Sequence, residues 1–244
     1  MNKLLITVPC FNEELVLSKN IGKIYKYAQQ NLNDFAWRIL IIDNASSDRT
    51  WQIALEEKKR WPDKILLDQE SEKGRGVALR MGWAKFSDFN IYSYMDADLA
   101  TDLKDFRLLA MKISQGFDLA TGSRYLNNSD IVRDPKREFL SRVYNWLLKM
   151  ILKVNFKDAQ CGFKAFSKKL VAELIPQTKD AGWFWDTELM IMAVRRGYKV
   201  LEVPVSWREI RDEIRHSTVS HWAEVRRQLR NIYLMRRRFK KNDL

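Results

Sequence analysis

Two aspartates one residue apart, Asp96 and Asp98, close the apolar run "IYSYM" within the stretch "YSYMDADLATD", residues 92–102. In an extended chain residues i and i+2 face the same way, so both carboxylates would point to one side. Carboxylates this close repel each other unless a cation neutralises them or one takes up a proton. Their hard oxygens suit Mg2+ or Mn2+, ions that also take phosphate oxygens and water. A metal held there would neutralise the diphosphate of a departing nucleotide. On its own, Asp-x-Asp fits an acidic turn after a strand as readily as a metal clamp.

Other candidates follow apolar runs in the same way. Asn12 and Glu13 come after "KLLITV", and Asp43 ends "WRILIID", where it could accept hydrogen bonds from a base or a ribose. Caps and turns use the same residue types, and Asn44 and Ser46 suit a turn. The stretch "EKGRGVALRMG" (72–82) has neither the Gly-x-Gly-x-x-Gly fingerprint nor Walker spacing. Gly74 and Gly76 are expected to let the backbone pass close to a ligand as a helix begins. A second cluster lies in "GSRY" (122–125) and "KREFLS" (136–141). Arg137 and Ser141, four apart, share a helix face. Together with Arg124 they would grip a phosphate, which arginine binds in bidentate fashion. The alternative is a surface ion pair of Arg137 with Glu138 or Asp134.

These residues need elements to position them. Residues 3–8, 37–43, 64–69, 91–95 and 118–122 read as short buried strands, with helices at 13–31, 48–60, 74–87 and 102–115 between them. Asp48 is the expected N-cap of the second helix. Such alternation predicts an α/β fold with a mostly parallel central sheet and helices on both faces. In such sheets ligands bind beyond the carboxyl ends of the strands, where "PCFNEE", "DNASSD" and "DADLATD" all fall. Beyond residue 130 the pattern changes. Residues 136–154 form an amphipathic helix with Phe139, Leu140, Val143, Trp146, Leu147, Met150, Ile151 and Val154 as its apolar stripe. Residues 162–166 read as a strand and 184–196 as a helix. Residues 199–207 read as another strand, placed at an edge by Pro204. A helix from about 218 puts Trp222, Val225, Leu229 and Ile232 on one face.

The chain has 244 residues, 46% of them hydrophobic, which is enough for a packed core. Its two cysteines, Cys10 and Cys161, form no metal-ligand pattern and no disulfide framework, which points to a reducing compartment. The first apolar run is too short for a signal peptide, and no uncharged apolar run reaches the roughly 18 residues of a membrane span. The net charge is +12, and all but one unit of it falls in 131–157 and 206–244. Such segregation favours an anionic partner: a membrane surface, a nucleic acid or a phosphorylated substrate.

Eight segments in order, "VPCFNEE", "DNASSDRT", "KGRGVALRMG", "DADLATD", "GSRY", "DAQCGFKAF", "WFWDTEL" and "VPVSWREI", resemble the family 2 glycosyltransferases of GT-A (nucleotide-diphospho-sugar transferase) fold. Within that family the chain looks most like the polyprenyl-phosphate hexosyltransferases, the dolichyl-phosphate glucose and mannose synthases. "DAQCGFKAF", "WFWDTEL" and the Trp-x-Glu of 207–209 look most like the glucosyl branch. The resemblance implies that Pro9, Cys10, Asn12, Glu13, Asp43, Gly74 and Asp96 contact the nucleotide sugar. It implies that Asp96 and Asp98 hold Mg2+ or Mn2+, and that Arg124, Arg137, Ser141 and Arg215 hold the acceptor phosphate. Asp98, Arg124 and Arg137 then stand closest to the chemistry. The chain departs from the family pattern at Asn44, which replaces a second aspartate, and at Ala100, where mannosyl relatives often carry glutamine. The family's Ser-Lys after the Trp-x-Glu region reads "RHS" here, so Arg215 or His216 would supply that cation.

The implied reaction moves a hexose from UDP-glucose or GDP-mannose to a polyprenyl or dolichyl phosphate, with inversion. The expected organisation is a catalytic domain over 1–217, with a nucleotide-sugar half at 1–130 and an acceptor half at 131–217, followed by a basic C-terminal helix at 218–244. Helix 136–154, apolar on one side with cationic flanks, fits an interfacial helix, and the C-terminal charges would attract anionic lipids. The expected setting is therefore the cytoplasmic face of a membrane, held peripherally, although 136–154 could equally pack into the core. Two other readings compete. One is a family 2 enzyme with a soluble or polysaccharide acceptor. The other is a basic nucleic-acid-binding module, for which no helix-turn-helix, RNA-binding sheet or zinc spacing is present. A dinucleotide-binding oxidoreductase lacks its glycine fingerprint.

Overall fold

A computed structural model describes residues 1–209 and 221–240, with side chains of the last helix from 226 to 239. The first strand, β1 (Asn2–Cys10), pairs in parallel with β2 (Phe35–Asn44), and β2 with β3 (Ile65–Glu70). On its other side β1 pairs in parallel with β4 (Ile91–Met95). Two later strands extend the sheet. β7 (Phe163–Ser167) lies antiparallel between β4 and β5 (Leu119–Ser123), and β8 (Val200–Pro204) runs parallel to β5 at the edge. The order is β3-β2-β1-β4-β7-β5-β8, mixed but mostly parallel.

The continuous apolar runs reflect a sheet covered on both faces. Leu4, Ile6, Val8, Ile39 and Ile41 pack in one core with Leu17, Ile21 and Ile24 of helix α1 (Leu17–Asn31) and with Phe106 and Leu109 of α4 (Phe106–Ser114). Leu5, Leu40, Ile42, Tyr92 and Tyr94 face the second core, with Ala78, Leu79 and Trp83 of α3 (Arg75–Lys85) and with α7 (Trp185–Arg195). Between β2 and β3, α2 (Thr50–Arg60) starts two residues after Asp48, whose carboxylate accepts the Thr50 amide. The expected cap therefore acts one residue outside the helix end.

The acceptor half is built differently. Two short strands, β6 (Asp130–Val132) and β9 (Ser206–Arg208), pair in parallel as a separate ribbon. The single strand expected over 199–207 is thus two strands, parted at Val205 so that the second leaves the main sheet. Helix α5 (Pro135–Leu152) starts on Asp134, which accepts the Lys136 and Arg137 amides, with proline in the first turn. It ends at Lys153, in a left-handed conformation. A short helix, α6 (Lys168–Leu174), follows β7, and α8 (His221–Lys240) packs across α5.

Candidate functional site

The chain runs outward from β1 to β2 and β3, then returns to the opposite side of β1 as β4. The resulting switch point opens a crevice at the carboxyl ends of β1 and β4, the usual ligand position in such sheets. Three non-glycine residues with left-handed backbone rim it: Asn12 after β1, Ala45 after β2 and Leu99 after β4. This conformation is costly for alanine and leucine, and strain of this kind clusters at functional loops. The β1 and β2 loops are stitched together. Asn12 Oδ1 accepts the Ser47 amide at 2.8 Å, the Asn12 amide donates to Ser46 Oγ, and the Glu13 amide donates to Thr50 Oγ1.

Asp96 follows β4 directly. Its Oδ1 accepts Arg75 Nη1 at 2.9 Å, and its side chain keeps 41% exposure on the crevice floor. A Cβ on Gly162 would lie 2.0 Å from Asp96 Oδ2, so this close approach requires glycine. The Asp96 carboxyl is pushed up to about 6, first by burial and then, against the pull of Arg75, by Asp98 and Asp186. Burial also raises the Asp98 carboxyl, opposed by the Ala100 amide, which donates to Asp98 Oδ1 at 3.0 Å. Among the described residues no third acidic, His or Cys side chain completes a metal cluster. Two crowded hard-oxygen donors fit a divalent cation whose remaining positions go to phosphate and water.

Beneath Asp96 lies a charged network without an obvious signal in the sequence. Arg75 bridges Asp96 to the fully buried Asp186 at 2.7 Å, and Lys164 Nζ approaches Asp186 at 3.3 Å. The Tyr94 hydroxyl donates to the same carboxylate. Burial works against the Arg75 cation, but Asp186 and Asp96 together hold its pKa above the ordinary arginine value. Trp183, half exposed, covers the Arg75 guanidinium at 4.5 Å. Arg75 stands between the two glycines of "KGRG", and Asp186 and Lys164 lie inside quoted motifs. Their positions were legible, but the network they form was not.

Several expected nucleotide contacts lie elsewhere. Asp43 is fully buried, accepting Gln69 Nε2 at 3.0 Å and the Ser46 amide. Cys10 is buried too, its thiol pushed up by burial and then by Asp43, and Pro9 is half-buried beside it. These three shape the crevice wall from behind. Gly74 does not face a ligand: with φ of 144° its Cβ would meet the Ala181 carbonyl at 2.1 Å. Gly76 is pressed in the same way by Asp180 and Trp185. Asn44 clamps this loop, its amide donating to the Glu72 carbonyl and its Oδ1 accepting the Gly74 amide at 2.6 Å. An aspartate could only accept, which gives the departure at this position a physical reason.

The expected phosphate grip is also redistributed. Arg124 is buried and forks onto Asp158, with Nε–Oδ2 at 2.7 Å and Nη2–Oδ1 at 2.9 Å. A fully paired guanidinium of this kind corrects the acceptor role expected for it. Arg137 does not pair with Glu138 or Asp134; its Nη1 reaches Glu209 Oε1 at 2.9 Å. Ser141 sits on the same face of α5 and accepts Arg133 Nη1 at 2.8 Å. Arg215 lies outside the described residues. The ribbon brings this cluster to the donor side. Thr101, three residues after Asp98, bridges to Trp207 of β9, Arg208 N donates to the Ala100 carbonyl, and Trp207 pairs with Ile131 of β6.

The profile of glycosyl transferase family 2 matches residues 5–175, a stretch holding the whole donor crevice apart from Trp183 and Asp186. The chain belongs to that family. This family 2 chain is 32% identical over 204 residues to glycosyltransferase AglD of Haloferax volcanii, covering 83% of its own length and 32% of the relative's. It is 31% identical over 213 residues to a dolichyl-phosphate beta-glucosyltransferase of Trichomonas vaginalis, covering 84% of itself and 65% of that protein. It thus spans about a third of the first relative and just under two thirds of the second. The dolichyl-phosphate beta-glucosyltransferase of Drosophila melanogaster is 28% identical, with 95% and 74% covered. Among solved structures, glucosyl-3-phosphoglycerate synthase from Mycobacterium tuberculosis, in complex with Mn2+, UDP and glucosyl-3-phosphoglycerate, superposes with a TM-score of 0.69. That likeness, at 17% identity over 96% of this chain and 80% of the other, shows the fold. The family 2 chain has the GT-A fold.

Proposed function

We propose that this family 2 transferase moves a hexose, glucose foremost, from a nucleotide sugar to the phosphate of a polyprenyl or dolichyl phosphate at a membrane surface. The reading rests above all on one juxtaposition. The Asp96–Asp98 pair is joined through the Thr101–Trp207 bridge to an arginine cluster at the start of α5. Donor and phosphate acceptor would then meet across that bridge. The names of the dolichyl-phosphate beta-glucosyltransferase relatives support both the lipid acceptor and glucose.

Asn12 and Glu13 at the crevice rim would contact the nucleoside, with Pro9, Cys10 and Asp43 supporting that wall. Asp96 and Asp98 would hold Mg2+ or Mn2+, which neutralises the departing diphosphate when bound. Arg75 and Gly162 set the position of Asp96. An acceptor phosphate monoester carries about −1.5 to −2 charge near neutral pH and attacks without a strong general base. Its oxygen bonds to the anomeric carbon as the bond to the diphosphate breaks on the opposite side. An α-linked donor therefore yields a β-linked product. The residues' task is alignment and charge compensation.

Helix α5 supports the membrane part of the reading. Asn145, Leu148 and Leu152 bury one face against the core, whereas Phe139, Trp146 and Met150 stand 66%, 58% and 63% exposed on another. Residues 139, 146 and 150 recur at helical spacing, and Lys136, Arg142 and Lys153 surround them. Such an apolar ridge with cationic flanks suits a surface of anionic lipid. No helix among the described residues is long and apolar enough to cross a membrane.

The test is a donor panel of UDP-glucose and GDP-mannose with Mn2+ and a short polyprenyl phosphate, scored for lipid-linked sugar. A β-linked glucosyl phosphate lipid is expected. Glycosylation of a soluble acceptor with no transfer to any lipid phosphate would overturn the reading.

A further inference from the structure

Four arginines surround Tyr125 and Trp207 at the entrance to α5, and three have a carboxylate. Arg124 holds Asp158, Arg137 holds Glu209, and Arg142 holds Glu138 at 2.7 Å. Arg133 differs. Its Nη1 donates to Ser141 Oγ, its Nε is buried without a hydrogen-bond partner, and no carboxylate of the described residues lies within ion-pair distance. A buried cation without a counter-charge is unfavourable unless an anion completes it.

The surroundings add to that imbalance. Arg133 and Arg124 both approach the Trp207 ring, at 5.3 and 5.6 Å from its centroid. Burial and the neighbouring Arg124 lower the Arg133 pKa, with Tyr125, Glu209 and Glu138 only partly offsetting them. The Tyr125 hydroxyl is buried with no hydrogen bond of full geometry. Its pKa is raised chiefly by burial, with Arg124 and Ser141 among the opposing influences. Arg142 stands over the outer side of the same ring at 4.9 Å. The local field is therefore positive, and two hydroxyls, Ser141 and Tyr125, lie within it.

We propose that Arg133, with Ser141 and Tyr125, receives the phosphate monoester of the acceptor, while Arg124 and Arg137 brace the chamber through Asp158 and Glu209. Arg133 immediately follows β6, whose Ile131 pairs with Trp207, and Trp207 bridges to the loop of Asp98. A phosphate seated on Arg133 is thus one strand away from the carboxylate pair. Its doubly charged oxygens match a guanidinium fork as no neutral alcohol would. This assignment rests on the lipid-phosphate reading and names the residue that carries it.

The experiment measures steady-state transfer to a short prenyl monophosphate, and its equilibrium binding by thermal shift, in wild type, Arg133→Gln, Arg133→Lys and Lys136→Gln. Arg133→Gln should raise the KM for prenyl phosphate by about ten- to a hundredfold, the scale of a lost charged hydrogen-bond pair. The KM for the nucleotide sugar and the melting temperature of the free protein should stay near wild type. Arg133→Lys should recover part of the loss, keeping the charge without the planar fork. Lys136→Gln, on an exposed residue of the same helix, should change neither constant. An unchanged prenyl phosphate KM in Arg133→Gln, with wild type active, overturns the assignment and leaves the function standing. If wild type neither binds nor glycosylates prenyl phosphate, function and assignment fall together. A lowered melting temperature with unchanged prenyl phosphate binding would make Arg133 structural and also overturn it.

Discussion

Arg124 and Asp158 form the best-defined ion pair of the acceptor half, one side chain 7% and the other 0% exposed. Burial alone would raise the Asp158 carboxyl, but the Arg124 guanidinium overrides it and holds the pKa below the ordinary 3.8. A depressed carboxyl contributes stability that is present above its unfolded pKa and lost as pH falls through the folded one. Acid unfolding should therefore draw on this pair below about pH 4. Replacing Arg124 by Gln strands a buried carboxylate and should cost about 3–5 kcal/mol at neutral pH, read from urea midpoints. An Arg124→Gln protein that unfolds like wild type would show that the pair is not structural. Gly162→Ala tests the donor side. Its Cβ would overlap Asp96, so Mn2+ binding in the presence of UDP should weaken about tenfold or more, as for Asp98→Asn, while the fold persists. Unaltered Mn2+ titration by calorimetry would count against both carboxylates as ligands.

At the scale of elements, α5 and α8 show what periodicity can and cannot tell. The stripe read on 136–154 is real, but it divides. Leu148 and Leu152 are buried, while Phe139, Leu140, Trp146 and Met150 face outward. The hydrophobic spacing of one helix is the same whether its partner is a core or a lipid surface, so the sequence left both open. Leu148→Ala should cost about 2–5 kcal/mol in unfolding free energy. Trp146→Ser with Met150→Ser should leave stability unchanged and reduce flotation with anionic liposomes. Equal liposome binding by that double variant would refute an interfacial α5. In α8 the expected face is corrected. Gln228, Ile232, Met235 and Phe239 turn toward the body, and Leu229 is 45% exposed. The helix is set by polar partners the pattern did not reveal: Tyr144 donates to Gln228, Asn231 to Asp180, and Arg238 to Glu188. Trp222 and Val225 lie where side chains are not described.

Over the whole molecule, the uneven charge predicts behaviour that no single residue would. With almost all net charge in 131–157 and 206–244, liposome binding should weaken as salt shortens the Debye length from about 10 Å at 0.1 M toward 3 Å at 1 M. Binding that is insensitive to both salt and lipid charge would argue against an electrostatic contribution. By itself the sequence determined the α/β alternation, the strand ends where polar clusters gather, and the family, since these follow from local periodicity and from motifs carried in order along the chain. Asp96 and Asp98 were legible because a strand's two-residue period places them together without reference to anything distant. Only the tertiary structure decided which charges oppose which. Arg124 and Asp158 are 34 positions apart, Arg137 and Glu209 are 72 apart, and Arg75 meets Asp186 through a helix that begins where two glycines press against residues 180–185. Coulomb energy depends on distance and burial, not on sequence separation. The choice among four nearby arginines therefore had to wait for the fold.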